Sequence, residues 1–262
     1  MPARQGSRGR GRVHVVKIGG SVATNKERPF SLRIRVLRSI MEQLAAAEGQ
    51  GARFALVIGG GSFGHPVASI YRATQAPVAE AYSTITSVML ELALAVAELA
   101  REAGLRPVIH PPHSFCRPSG FKPNCSWSIV ARDLEAGATP LVYGDVYLTP
   151  QGWEIVSGDE LSVEMACRLR ARSLIYVTDV DGILGPDGRV IERLSLGDAA
   201  TEVAQLGTRG ADVTGGALRK IWALRENMCP DINEIWVVNG LAEGRLLRLL
   251  RGEPVVATLI TP

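Results

Sequence analysis

Five glycine-rich turns carry the residues of this chain whose types and spacing suit chemistry. The first is Lys17-Ile18-Gly19-Gly20-Ser21, at the end of an apolar run. Two glycines let backbone N–H groups approach an anion closely, and the lysine supplies a point charge. The same residues would also serve as a plain tight turn with a lysine at a sheet edge. The second turn, Gly59-Gly60-Gly61-Ser62-Phe63-Gly64-His65, has G-x-G-x-x-G spacing at Gly59, Gly61 and Gly64. A dinucleotide site would need a second strand ending in an acidic residue about 20 residues on. Ala76-Pro77-Val78-Ala79-Glu80 stands there, and it opens a long helix. The spacing is therefore a weak signal, and a bare turn is the simpler alternative.

The third turn, Ser157-Gly158-Asp159, opens a helix, with Asp159 able to cap it and free N–H groups able to hold an anion. The fourth, Thr178-Asp179-Val180-Asp181-Gly182, follows an apolar strand. Its aspartates look metal-like, but an Asx turn accounts for them as well. The fifth, Asp212-Val213-Thr214-Gly215-Gly216, precedes a helix that carries Lys220 one turn in, where phosphate or solvent would satisfy the lysine. The chain contains no G-x-x-x-x-G-K-[ST], G-x-S-x-G, H-E-x-x-H or EF-hand pattern. Glycine turns and lysines without a nucleophile signature fit phosphoryl transfer, which needs positioning and charge neutralisation.

Hydrophobic periodicity predicts the elements that position these turns. Apolar strands are expected over 13–18, 54–58, 106–109, 140–143, 174–177, 235–238 and 255–260, and a hairpin over 145–156. Helices are expected over 31–48 with Ser31 as N-cap, and over 78–103, 159–170, 195–206, 214–227 and 243–250. Apolar strands alternating with helices imply a mostly parallel sheet covered on both faces. The expected organisation is a disordered basic tail at 1–12, an acceptor-binding lobe at 13–137 and a nucleotide-binding lobe at 138–262.

Composition narrows the class. The chain has 262 residues, 46% hydrophobic and 21% charged, with a net charge of +3. Arg4, Arg8, Arg10 and Arg12 outnumber that net charge, so the remainder is close to neutral and nucleic-acid binding is not expected. No unbroken apolar run approaches the roughly 18 residues that span a bilayer. No apolar h-region of the roughly 7–15 residues a secretory signal needs follows the arginines, so such a signal is not expected. Cys116, Cys125, Cys167 and Cys229 lack C-x-x-C spacing and read as reduced thiols of a cytoplasmic protein, with a Cys116–Cys125 bridge as the alternative.

Taken in order, Lys17 to Ser21, Gly59-Gly60-Gly61, Thr178 to Gly182 and Asp212 to Gly216 resemble the amino acid kinase superfamily over nearly the whole chain from about residue 13. Gly59 to Pro66, Asn25-Lys26, Gly144-Asp145-Val146 and Ser157-Gly158-Asp159-Glu160 resemble its isopentenyl phosphate kinase branch. The resemblance implies a three-layer αβα sandwich, with ATP and Mg²⁺ as cofactors and a homodimer. The implied reaction is ATP-dependent phosphorylation of isopentenyl phosphate, a step of isoprenoid biosynthesis. By the same resemblance His65 meets the acceptor's phosphate, and Lys17, Lys26 and Lys220 surround the transferring group. Gly60 and Gly158 line the acceptor site, while Gly19, Gly20, Ser21, Gly61, Asp179 and Gly216 belong to the nucleotide side. The helical stripe Tyr82, Ile85, Val88 and Met89 is either core, a dimer face or a wall for a five-carbon tail, with Tyr82 and Met89 taken as substrate contacts and Phe115 and Ile129 as weaker ones. A fosfomycin-type phosphonate kinase, another kinase of the superfamily and a non-catalytic oxyanion binder remain alternatives.

Overall fold

The computed structural model describes residues 13–25, 27–119, 122–185, 187–197 and 234–261, together with 224, 229 and 232. Its centre is an eight-stranded sheet in the order β10-β12-β11-β9-β1-β2-β6-β3. These strands are β1 (Val13–Ile18), β2 (Arg53–Ile58), β3 (Pro107–Ile109), β6 (Thr139–Tyr143), β9 (Ser173–Thr178), β10 (Arg193–Ser195), β11 (Glu234–Asn239) and β12 (Ala257–Thr261). All the pairings are parallel except β11 with β12. Val16 and Ile18 point into one apolar layer and Val15 into the other, as period-two alternation requires. Both faces are covered by helices, so the strands read as continuous apolar runs. This is the expected three-layer, mostly parallel architecture.

One layer holds α2 (Ile34–Glu48), α3 (Gly61–Thr74) and α4 (Val78–Glu102), whose buried residues share a core with β1 and β2. Short α1 (Gly20–Ala23) and α8 (Arg245–Leu250) also contribute to it. The other layer is built on α6 (Ser128–Ala136) and α7 (Gly158–Arg168). Short α5 (Pro112–Phe115) leads into the hairpin β4 (Cys116–Ser119) and β5 (Lys122–Cys125). A second hairpin joins β7 (Asp145–Thr149) to β8 (Gly152–Val156), as expected. The helices expected over 195–206 and 214–227 lie almost entirely outside the described residues, as does the tail at 1–12.

Several local readings change. Helix α2 begins at Ile34 with no side-chain cap, so Ser31 is not its N-cap. The Ser31 carbonyl instead accepts from the Asn25 N–H at 2.8 Å, closing the loop ahead of the helix. The four cysteines, expected as thiols, are paired as Cys116–Cys125 and Cys167–Cys229. Cys116 and Cys125 stand opposite each other in the β4–β5 register, and Cys167 near the end of α7 comes within 5.8 Å of Cys229, Cα to Cα. Helix α4 is long and apolar enough to cross a membrane by length and composition. Counting unbroken apolar runs misses it because polar residues interrupt the stripe. Its Ile85, Met89, Leu92 and Val96 are buried in the core.

Burial raises the carboxyl pKa of Glu164 on α7, against the opposing pull of the Trp127 indole N–H and the Arg168 guanidinium. A raised folded-state pKa means that stability is fully present below the unfolded value and is lost as pH rises through the folded one. Glu164→Gln is therefore expected to raise Tm modestly at neutral pH and to leave it unchanged near pH 3. Thermal melts at the two pH values read this difference.

Candidate functional site

Register fixes the site. Ile18 pairs with Ile58 and Val177, and Ile58 pairs with Tyr143, so four strands end level with one another. Their turns are then stitched sideways. Gly19 N–H donates to the Val177 carbonyl at 2.8 Å, Gly59 N–H to Ile18 at 3.0 Å and Gly144 N–H to Ile58 at 3.0 Å. Glycine turns that are far apart in sequence thus form one carboxyl edge, where open α/β sheets bind ligands.

The first two turns touch backbone to backbone. A Cβ on Gly20 would sit 2.5 Å from both the Cα and N of Gly61, and one on Gly59 would sit 2.8 Å from the Gly20 N. Gly61 also has φ +49° and starts α3. Thr24 ties the pair together, since its hydroxyl donates to the Gly20 carbonyl at 2.7 Å and accepts from the Ser62 N–H at 2.9 Å. Sequence reading missed Thr24, which no motif marks. Pro66 cannot supply the helical N–H for Ser62. The Ser62 carbonyl accepts from Phe30 N–H at 3.2 Å instead, which holds the loop before α2 against α3.

Lys17 is 5% exposed on β1. Its Nζ lies 2.8 Å from Asp159 Oδ1. Asp159 is not the cap of α7. Ser157 is, with its Oγ accepting from the Asp159 N–H at 3.2 Å while Glu160 accepts from the Ser157 N–H at 3.2 Å. That capping box frees the Asp159 carboxylate to hold the ammonium. A buried lysine needs such a partner, and the first turn of a helix suits the carboxylate. Asp159 is a site residue that the sequence reading had assigned to capping. The unexplained burial of a strand lysine was the available clue.

Lys17 and Asp159 line a cavity of ≈ 100 Å³ together with Gly20, Gly60, His65 and Gly158. His65 is exposed at its mouth. Ala68, Ile85 and Met89 from the α3–α4 side and Ile155 and Val156 from β8 make the wall apolar. Met89 is 1% exposed and packs so close to α3 that a Cβ on Gly64 would lie 2.6 Å from its sulfur. Ile85 thus joins Met89 on the wall. Tyr82 is not among the lining residues and stacks edge-on against His113, 6.1 Å between ring centres. Val88 packs against the core. Phe115 belongs to the opposite core layer against Trp127, and Ile129 is surface-exposed, so neither reaches the cavity.

Ser21 and Asp179 meet on the β9 side of Lys17, the Ser21 hydroxyl donating to Asp179 Oδ1 at 2.7 Å. Asp181, beside them in sequence, is held by Asn239 at 2.9 Å and by Arg245, and these hydrogen bonds hold its pKa below the usual carboxylate range. Lys26, Gly216 and Lys220 lie outside the described residues. Of the three lysines expected around the transferring group and the histidine expected on the acceptor's phosphate, the two that are described, Lys17 and His65, line one cavity. Among the described residues no three His, Cys, Asp or Glu side chains come together to hold a metal.

An amino acid kinase family model matches residues 12–229. The isopentenyl phosphate kinase of Methanothermobacter thermautotrophicus is 30% identical, with 94% of this chain and 98% of that protein covered. That of Thermoplasma acidophilum is 32% identical over 86% of this chain and 91% of the relative. The crystal structure of the T. acidophilum isopentenyl phosphate kinase product complex superposes with a TM-score of 0.73 and 26% identity, covering 95% of this chain and 99% of that one.

Proposed function

Because this chain belongs to the amino acid kinase family and, within it, to the isopentenyl phosphate kinases, we propose that it transfers the γ-phosphoryl group of ATP to isopentenyl phosphate, giving isopentenyl diphosphate and ADP. The observation that carries this reading is one cavity lined both by Lys17 and His65 and by the apolar side chains of Ala68, Ile85, Met89, Ile155 and Val156. A monophosphate on a short hydrocarbon has the matching polarity. Its phosphate would lie against His65, Gly60 and Gly158, and its tail against Ile85, Met89 and Ile155.

The attacking atom is an oxygen of the acceptor's phosphate. It forms a bond to the γ-phosphorus as the bond to the β–γ bridging oxygen breaks, and ADP leaves. That oxygen is already anionic, so no general base is required. The obstacle is repulsion between two phosphates, which cations relieve. Lys17, held by Asp159, is one such cation, and the proposal assigns Lys26 and Lys220 the same role. His65 donates a hydrogen bond to the acceptor's phosphate, more strongly when protonated. Gly19, Gly20, Ser21, Gly61, Asp179 and Gly216 take the nucleotide side, which the Ser21–Asp179 contact supports. Mg²⁺ bound to the phosphates of ATP would supply further charge neutralisation there. An acceptor-binding N-terminal half and a nucleotide-binding C-terminal half complete the reading.

We further propose a cytoplasmic homodimer acting without nucleic acid or membrane partners. The disulfides remove the support that reduced thiols gave to this location. The cost of moving multiply charged ATP and prenyl phosphates across a bilayer still favours it.

His65→Ala is expected to lower kcat/KM for the acceptor roughly 10- to 100-fold by loss of a charge-assisted hydrogen bond. Its affinity for ATP should stay within about twofold, because the nucleotide side is untouched. The function itself is tested by ATP consumption with isopentenyl phosphate, dimethylallyl phosphate, fosfomycin, acetylglutamate and UMP offered separately. Turnover should be greatest with a prenyl phosphate. Preference for fosfomycin would instead identify a phosphonate kinase, and no turnover with any acceptor would leave an oxyanion binder.

A further inference from the structure

Strands β7 and β8 form a two-stranded sheet of their own, apart from the eight-stranded one. A lone hairpin is marginally stable, so its resting position depends on what it is docked against. Strand β8 nevertheless supplies Ile155 and Val156 to the acceptor cavity, and Ser157 follows them there. Helix α3 supplies Gly64, His65 and Ala68. Ile155 is 38% exposed, so burial alone holds this wall weakly.

The two elements meet again beyond the cavity. Arg72 stands on α3 one turn past Ala68 and two past His65, on the same face. Its guanidinium carbon lies 5.2 Å from the centre of the Trp153 ring, and its Nη2 lies 3.6 Å from Glu154 Oε2. Trp153 and Glu154 directly precede Ile155 on β8. The cleft around Arg72, ≈ 480 Å³, is open rather than close-packed, so this contact bridges a gap. An arginine suits the task, because its planar guanidinium stacks on a ring and pairs with a carboxylate at once. Each contact is weak at an exposed position. Together they suffice to bias where a marginal hairpin rests. Arg72 is not among the cavity's lining residues, so any effect on the acceptor must pass through β8.

We infer that Arg72 is a positioning residue of the acceptor site. By clasping β8 to α3 it sets the spacing between the Ile155–Val156 wall and the His65–Ala68 side, and so the affinity for a phosphate with a short apolar tail. This rests on the phosphate-acceptor reading above and adds a residue to that site.

The test compares the parent with Arg72→Met, Trp153→Leu and the double variant. Initial rates with ATP and isopentenyl phosphate are paired with calorimetric binding of the acceptor without ATP. Arg72 is 55% exposed, so its replacement opens no hole in the core. Arg72→Met is expected to raise the acceptor's KM and Kd about three- to fivefold. Its kcat and its KM for ATP should stay within about twofold of the parent. The double variant should be no worse than about twofold beyond the weaker single one, because both residues act through one contact. An unchanged acceptor KM and Kd in Arg72→Met overturns the inference and leaves the kinase reading standing. A lower kcat with both KM values unchanged overturns it too, since that marks a loss of folded protein rather than of position. Losses that multiply in the double variant would show that there is no shared clasp. If the parent binds isopentenyl phosphate without turning it over, the kinase reading fails and the Kd values still decide the clasp. If the parent does not bind it, both fail.

Discussion

Lys17→Met is expected to lower kcat with isopentenyl phosphate by roughly 10²- to 10³-fold, the usual effect of removing one preorganised electrostatic contact to the transferring group. The side chain is 5% exposed, so its charge acts in a medium where water screens it poorly. The same substitution takes the ammonium away from the partly buried Asp159 carboxylate, which is expected to destabilise the fold by about 1–3 kcal/mol. Two effects of one mutation are separable because the partner is known. Adding Asp159→Asn should recover much of the lost stability, since it removes the carboxylate charge that Lys17 offset, and should recover none of the lost turnover. Thermal melts and steady-state rates on the two single variants and the double variant check both statements. A double variant that regained activity would show that Lys17 serves only to neutralise Asp159.

Gly20→Ala is expected to be strongly damaging for so small a substitution. The new methyl would stand 2.5 Å from two backbone atoms of Gly61, and no side-chain rotation relieves a backbone contact. Overpacking of this kind costs about 1–3 kcal/mol or more. For a domain of this size that corresponds to a Tm lower by roughly 2–12 °C. Relief by separating the two turns would also move the lining Gly60 relative to Lys17, so turnover should fall even in the fraction that folds. Gly49→Ala is the control. Gly49 has an ordinary helical conformation, and a Cβ there would meet nothing nearer than 3.5 Å. Its Tm should stay within about 2 °C of the parent.

The sheet was readable because its strands are apolar on both faces and end in glycine. Val13–Ile18 before Gly19 and Arg53–Ile58 before Gly59 leave little else for those segments to be. Helix α3 was not readable. Gly61, Gly64 and Pro66 all depress helix propensity, and the helix forms because Phe63 and Val67 are buried and Phe30 satisfies the carbonyl that Pro66 leaves free. Hairpin β4–β5 was hidden in the same way by Pro118 and Pro123, which read as breakers. At the site, motif order pointed to Lys17, Gly60, His65 and Gly158, which do share a cavity. It did not point to Asp159 as the partner of Lys17, because that pairing depends on how α7 lies across β1. Nor could it separate Met89 and Ile85 from Tyr82. All three fall on one helical stripe, and only the path of α4 past α3 decides which of them meet the cavity.

The most direct measurement is phosphorus-31 NMR of the purified protein with ATP, Mg²⁺ and isopentenyl phosphate. The acceptor's single phosphomonoester resonance should be replaced by two mutually coupled diphosphate resonances as ADP accumulates in equal amount. ADP and free inorganic phosphate appearing while the monoester signal persists would contradict the account, because ATP would then be hydrolysed without transfer to the molecule in the cavity.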